Sequence, residues 1–364
     1  MATKSLIIGN GFDLNIGVKS SFSSFIEKKI IVDGKLQNKS NLIYLIIYLS
    51  FYEHDIIENE QLIKPIYNKD PLWMDVEHLL MNIATGVGYK NIPNKEIFYR
   101  FYLGLTDDVF AYYAMSNQCR PLQNIFLLKR MKYGDRNSNV IDEIFYDDLL
   151  EFENDFVDYM NEIISIDKTY NSDSFGLFER ILSATDSKYD IKRIISFNYT
   201  FNNDDRLDTI FKENYIYVNL HGRLCDNNIV IGYDSDMQEN NKEHIYSLAK
   251  GWQRLNVEYD LLSGEPQPSH TFIFYGHSLG EQDYAQLFAY IDSMMQDINK
   301  SHFIFCYSDY ADDDYLNKKN KTKYLMAINR FINAYDYYRT GNRNGTLYNS
   351  LFISGHLKII KINN

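Results

Sequence analysis

Two residues of this chain carry side chains suited to moving a proton and holding water, and each follows a run that reads as a strand. Asn198 comes after Arg193–Phe197 and opens Asn198-Tyr199-Thr200; His221 comes after Tyr215–Leu220 and precedes Gly222. A carboxamide can hold water or a sugar hydroxyl, and an imidazole titrates near neutral pH, so it can serve as a base. Together they suit cleavage of an N-glycosidic bond, which passes through an oxocarbenium-like state. A group leaving from a cationic ring needs no strong acid. A lone histidine after a strand is more often a satisfied structural residue, so the pair gains meaning only from its surroundings.

Two glycine motifs supply candidate surroundings. Near the N-terminus, Leu6-Ile7-Ile8 reads as a buried strand and runs straight into Gly9-Asn10-Gly11. Strand, Gly-x-Gly and then a helix make a candidate nucleotide site, because a helix N-terminus exposes amides that favour phosphate. The third glycine of the dinucleotide fingerprint is missing: Leu14 holds its place, and the next glycine is Gly17. A tight turn without a ligand fits the same residues. The second motif, Gly276-His277-Ser278-Leu279-Gly280, matches the G-x-S-x-G elbow of serine hydrolases. Ser278, Asp309 and His356 even follow the hydrolase order. Against a serine esterase, only two strands follow the elbow, His356 opens a strand instead of following one, and Gly9–Gly11 would have no role.

The elements that must position these residues alternate in character. Further strands are expected at Asn228–Ile231, Thr271–Tyr275, His302–Cys306 and His356–Ile360. Several end in small or polar clusters, and in open parallel sheets ligands bind outside the carboxyl ends of the strands. Gly9–Gly11, Asn198, His221 and Gly276–Ser278 would then line one crevice. Ile30–Asp33 could add a short strand, but Gly34 and the polar residues after it place Asp33 in a loop. From Asn41 to about Ser187, apolar residues recur at three- and four-residue spacing. Helices are expected at Asn41–Tyr52, Leu72–Ile83, Asn94–Leu103, Val109–Met115, Val140–Ile164 and Phe175–Ala184, with breaks at Pro65, Pro71, Pro93 and Tyr133–Asn139. Trp73 and Glu77 share a helical face, which reads as a packed helix start. Tyr310–Tyr315, with its three aspartates, reads as a solvated acidic loop. The fold class expected is α/β: a Rossmann-like, mostly parallel sheet flanked by helices, built from 1–40 and 188–364, with an all-helical insertion at 41–187.

Composition narrows the partners. The chain has 364 residues, 45% of them hydrophobic, enough for a sizeable core, and a net charge of −12, which argues against a general nucleic-acid binder. Cys119, Cys225 and Cys306 are widely spaced with no CxxC pair, so no metal site is expected and a reducing compartment suits them. No leader is expected, because the polar start runs straight into a core strand. The longest apolar run, Leu42–Tyr52, is about half of what a bilayer span needs. A cytoplasmic protein with no membrane partner is expected.

GNGFD at Gly9–Asp13, Trp73-Met74-Asp75-Val76-Glu77, FNYT at Phe197–Thr200, LHG at Leu220–Gly222 and GHSLGEQD at Gly276–Asp283 together resemble the AbiH family of bacterial abortive-infection proteins. That family looks like a divergent branch of the sirtuin-like superfamily, which binds NAD on a Rossmann-like sheet. The resemblance implies that Gly9, Asn10, Gly11 and Asp13 line a dinucleotide, Asn198 holds ribose or water, and His221 is the base. Gly276, Ser278 and Asp283 would contact the adenosine half. The four-cysteine zinc module of sirtuin deacylases is absent, and the first turn is GNGFD where GAGxS is usual. The resemblance therefore implies an anti-phage NAD hydrolase, with NAD as substrate and no metal. A non-catalytic nucleotide sensor is the alternative. A second copy of the chain, a defence-system partner and a phage trigger are candidate partners.

Overall fold

The computed structural model describes residues 3–32, 35–51, 76–85, 140–166, 169–187, 190–200, 215–233, 245–254, 266–309, 313–341 and 345–363. The helices expected at Asn94–Leu103 and Val109–Met115, the residues Trp73–Asp75, and Asp33, Cys119 and 310–312 lie outside these. The chain forms two compact units, Met1–Ser20 with Met160–Ile229 and Tyr259–Asn364, and Ser21–Tyr159 with Val230–Glu258.

The first unit is built on a six-stranded sheet of β1 (Thr3–Ile8), β2 (Ile191–Ser196), β3 (Ile216–Asn219), β4 (His270–Tyr275), β5 (His302–Tyr307) and β6 (Leu357–Lys361). The strands run in the order β3-β2-β1-β4-β5-β6, and every neighbouring pair is parallel. This is the doubly wound order, with its reversal between β1 and β4. Segments such as HTFIFY and HFIFCY form strands because both faces are covered, so β-branched and aromatic residues run almost unbroken.

Side chains alternate between two cores, as the period of two demands. One face carries Ile7, Ile195, Phe272, Phe274 and Phe305. It packs on helix α3 (Tyr284–Met294), α4 (Asp314–Thr340) and α5 (Thr346–Ile353) through Phe288, Phe331 and Leu351. The other face carries Leu6, Ile8, Ile194, Ile273 and Cys306 and packs on α2 (Tyr170–Ala184) through Leu177, Phe178 and Ile181. The short α1 (Gly11–Asn15) follows β1 directly and sends Phe12 into this second core.

The second unit contains helices Leu42–Phe51 and Val76–Thr85 and takes in Val140–Ile166 as far as Tyr159. A two-residue antiparallel pair, Ile31–Val32 with Lys35–Leu36, forms a sheet of its own. Phe25 meets the rings of Phe152, Phe156 and Tyr159 at 5.2 to 5.5 Å. Asn41 caps the first helix by accepting from Tyr44 N at 3.1 Å, while its amide donates to Asp148 O at 2.9 Å. Lys250 is wholly buried and reaches Glu77 Oε1 at 2.9 Å.

Two details differ from the sequence reading. Asn228–Ile231 forms no strand: its backbone leads to a single bridge from Tyr233 to Ala249. α4 was not expected, since Asp314 and Tyr315, read as loop, open a 27-residue helix. The units also cut the chain differently from 41–187. The helix Tyr170–Ala184 belongs to the sheet unit, and 21–40 and 230–258 belong to the other.

Candidate functional site

Because the sheet is parallel, Gly9, Asn198, His221 and Gly276 all follow strand ends on one edge. The structure sorts the residues at this edge into three groups.

The glycines form the first group. Gly9 N donates to Tyr275 O at 3.0 Å, and Gly11 N donates to Gly276 O at 2.7 Å. A Cβ on Gly9 would lie 2.5 Å from His277 Cα, and one on Gly11 would lie 2.8 Å from Gly276 Cα. Gly276 has φ +68°, and a Cβ there would meet Phe12 N at 2.4 Å. The Gly-x-Gly turn is thus required by the close approach of the chain leaving β1 to the chain leaving β4. The amides of Gly9 and Gly11 are committed to carbonyls of this chain. Asn10, whose Oδ1 accepts from the Ser20 hydroxyl, holds the turn to the segment behind it.

The second group surrounds Asp13. Its carboxylate is fully buried and accepts from Thr200 Oγ1 at 2.6 Å and from Tyr170 Oη at 3.2 Å. Burial pushes its pKa up to about 6, against the pull of hydroxyl donors and of Asn198 nearby. Asn198 is 1 % exposed, and neither atom of its carboxamide has a hydrogen-bond partner of normal length. Its backbone is better served: Asn198 O accepts from Asn219 Nδ2 at 2.8 Å. Asn219 Oδ1 in turn accepts from His221 N at 3.2 Å, tying the ends of β2 and β3 together.

The third group holds the imidazoles. His221 Nε2 lies 3.2 Å from Asp283 Oδ1, and His277 Nε2 lies 3.6 Å from Asp283 Oδ2. All three side chains are buried. The Phe197 ring meets both imidazoles edge to face, at 5.1 Å for His221 and 4.5 Å for His277. His277 Nδ1 accepts from Leu279 N at 2.9 Å, and Leu279 adopts φ +55°, unusual for a branched side chain. Among the described residues, no group of three or more His, Cys, Asp and Glu is arranged to hold a metal ion.

The structure therefore brings His221 against Asp283, a residue whose expected place was the adenosine half, and sets Asn198 beside Asp13. Ser278 is exposed, and five residues, Leu279–Asp283, separate it from the start of α3, so the strand-elbow-helix of a hydrolase is not formed. Asp309 pairs with Lys361, and His356 precedes β6 at the opposite edge, where it meets His302 at 4.5 Å. Ser278, Asp309 and His356 do not converge.

The protein-family model for bacteriophage abortive infection AbiH matches residues 6–309. The chain belongs to the AbiH family. No curated protein and no solved structure matches it. The AbiH match spans β1 to β5 and so includes every residue of the three groups. Among the described residues, no helix is long and apolar enough to cross a membrane.

Sequence reasoning missed His277, Asn219, Tyr170 and Thr200 as neighbours of the predicted residues. His277 lay inside a motif whose serine drew the attention. Asn219 and Tyr170 carried no local signal, because their partners are set by strand register and by helix packing.

Proposed function

We propose that this AbiH protein is a sirtuin-like NAD hydrolase that breaks the nicotinamide–ribose bond and so depletes a metabolite during phage infection. Water would add its oxygen to the ribose C1′ as nicotinamide leaves with the bonding electron pair. His221 would take the proton from that water, and Asn198 would hold the water or a ribose hydroxyl.

The reading rests chiefly on the Asn198 carboxamide. Its N–H side faces the Asp13 carboxylate, while its buried oxygen has no hydrogen-bond partner; an unmet buried acceptor costs about 1–3 kcal/mol, which a ligand would recover. It stands on the same strand-end edge as a histidine paired with a carboxylate, beside the reversal of strand order where doubly wound sheets take ligands. Abortive infection, in which the infected cell halts phage growth at its own expense, fits loss of a central metabolite.

The test is a metabolite profile of cells expressing the wild type, Asn198→Ala or His221→Ala, before and after phage challenge. NAD should fall only with the wild type, with nicotinamide and ADP-ribose appearing. An unchanged NAD pool through an infection that the protein arrests would reject hydrolysis. Calorimetric binding of NAD without turnover would then assign a sensor.

A further inference from the structure

We propose that His277 and Asp283 are positioning residues that fix the tautomer of His221, with the proton on Nε2 and the lone pair on Nδ1. The proposal rests on the reading of His221 as base and names the nitrogen that does the work: Nδ1.

The argument runs along one chain of donors. Leu279 N–H donates to His277 Nδ1 at 2.9 Å, so that nitrogen carries no proton and the neutral ring carries its proton on Nε2. This N–H faces Asp283 Oδ2 at 3.6 Å, longer than a hydrogen bond but directed at the carboxylate. An ionised carboxylate can only accept. His221 Nε2, 3.2 Å from Oδ1, must then be the donor, which leaves the lone pair on Nδ1. Leu279 holds φ +55° while its amide makes this contact and its side chain packs into the core. Phe197 meets both imidazoles edge-on and restrains their planes. The same chain of donors argues against a metal at this point, since His277 Nε2 would have to lose its proton while Nδ1 kept its own donor.

GHSLGEQD thus acts as an orienting arm: the motif supplies His277, the Leu279 amide and Asp283 in one short loop. The logic is that of any base held by a carboxylate on its far nitrogen.

The test uses the full chain labelled with 15N-histidine. Long-range 15N–1H correlation should show His221 protonated on Nε2 in the wild type. In Asp283→Asn, His277 Nε2–H should face the amide oxygen, turning the amide NH2 toward His221, whose proton should move to Nδ1. The kcat for NAD should fall about 100-fold with KM little changed. His277→Ala should give a mixture of the two tautomers and an intermediate kcat. A wild-type His221 protonated on Nδ1 overturns the proposal with no variant needed. So does a tautomer that inverts in Asp283→Asn without loss of kcat. If the wild type shows the expected tautomer but never consumes NAD, the hydrolase reading fails while the tautomer assignment stands.

Discussion

The two edges of the six-stranded sheet both bury histidine, and they use it in opposite ways. At the amino edge, His270 opens β4 and bonds to hydroxyls alone, Thr3 Oγ1 through Nδ1 and Ser5 Oγ through Nε2, each at 2.7 Å. Burial, helped by the charge of Arg193, lowers its pKa to about 4, so it stays neutral. At the carboxyl edge, His221 and His277 face the carboxylate of Asp283. Depth does not separate the two cases, since His270, His277 and His221 are 1 %, 3 % and 5 % exposed. The charge of the partner separates them. Hydroxyls satisfy a neutral ring and hold the fold, whereas a carboxylate can stabilise the cation that forms when a ring takes up a proton.

Removing one histidine from each edge should break the comparison most sharply. His221→Ala is expected to lower NAD turnover about 1,000-fold or more, with a melting temperature close to that of the wild type. His270→Ala should do the reverse. Stripping Thr3 and Ser5 of their partner and opening a cavity should cost about 2–4 kcal/mol in urea unfolding, with turnover per folded molecule unchanged.

A smaller effect comes from Asp13, a buried acid at the carboxyl edge whose partners are hydroxyls and the neutral amide of Asn198. If partner charge decides, it should behave as structure despite its position. Its folded pKa of about 6 lies above the 3.8 of an ordinary aspartate. Its contribution to stability is therefore fully present below about pH 3.8 and is lost as pH rises through about 6. Asp13→Asn should unfold at higher urea than the wild type at pH 8, by about 1–3 kcal/mol, and the gap should close near pH 4. His270 has the opposite sign: its folded pKa is depressed, so its contribution is present above about pH 6.5 and fades as pH falls toward 4. Urea titrations of both variants across this range would show two opposed slopes. The smallest effect should be that of Ser278→Ala. The side chain is exposed, so stability should stay within about 0.5 kcal/mol of the wild type, and a fluorophosphonate should leave the protein unlabelled.

Much of the sheet was legible because buried parallel strands announce themselves as apolar runs. RIISF, YIYVNL, TFIFY and HFIFC all mark true strands to within a residue or two. Asn228–Ile231 misled because an apolar run looks the same whether or not a neighbouring strand accepts its hydrogen bonds. α4 was missed because only Ala327, Ile328, Phe331, Ile332 and Tyr335 along its 27 residues are buried. The acidic start, where Asp313 accepts from Tyr315 N and Leu316 N, looked like a loop when it is a cap.

The site was legible as a set of residue types but not as pairs. The residue pattern suggested a phosphate at Gly9–Gly11, while the structure gives these glycines a backbone neighbour in Gly276. The pairing of His221 with Asp283 depends on where β3 and β4 end in the sheet, which no local spacing encodes. The placement of the Asn198 amide beside Asp13 is likewise a property of packing.

The most direct measurement is nicotinamide release from NAD by the purified chain, followed by mass spectrometry for the wild type, His221→Ala and His270→Ala side by side. The account predicts release by the wild type and by folded His270→Ala, and near-complete loss in His221→Ala. Release that persists in His221→Ala, or that disappears equally in both variants while each remains folded, would contradict it.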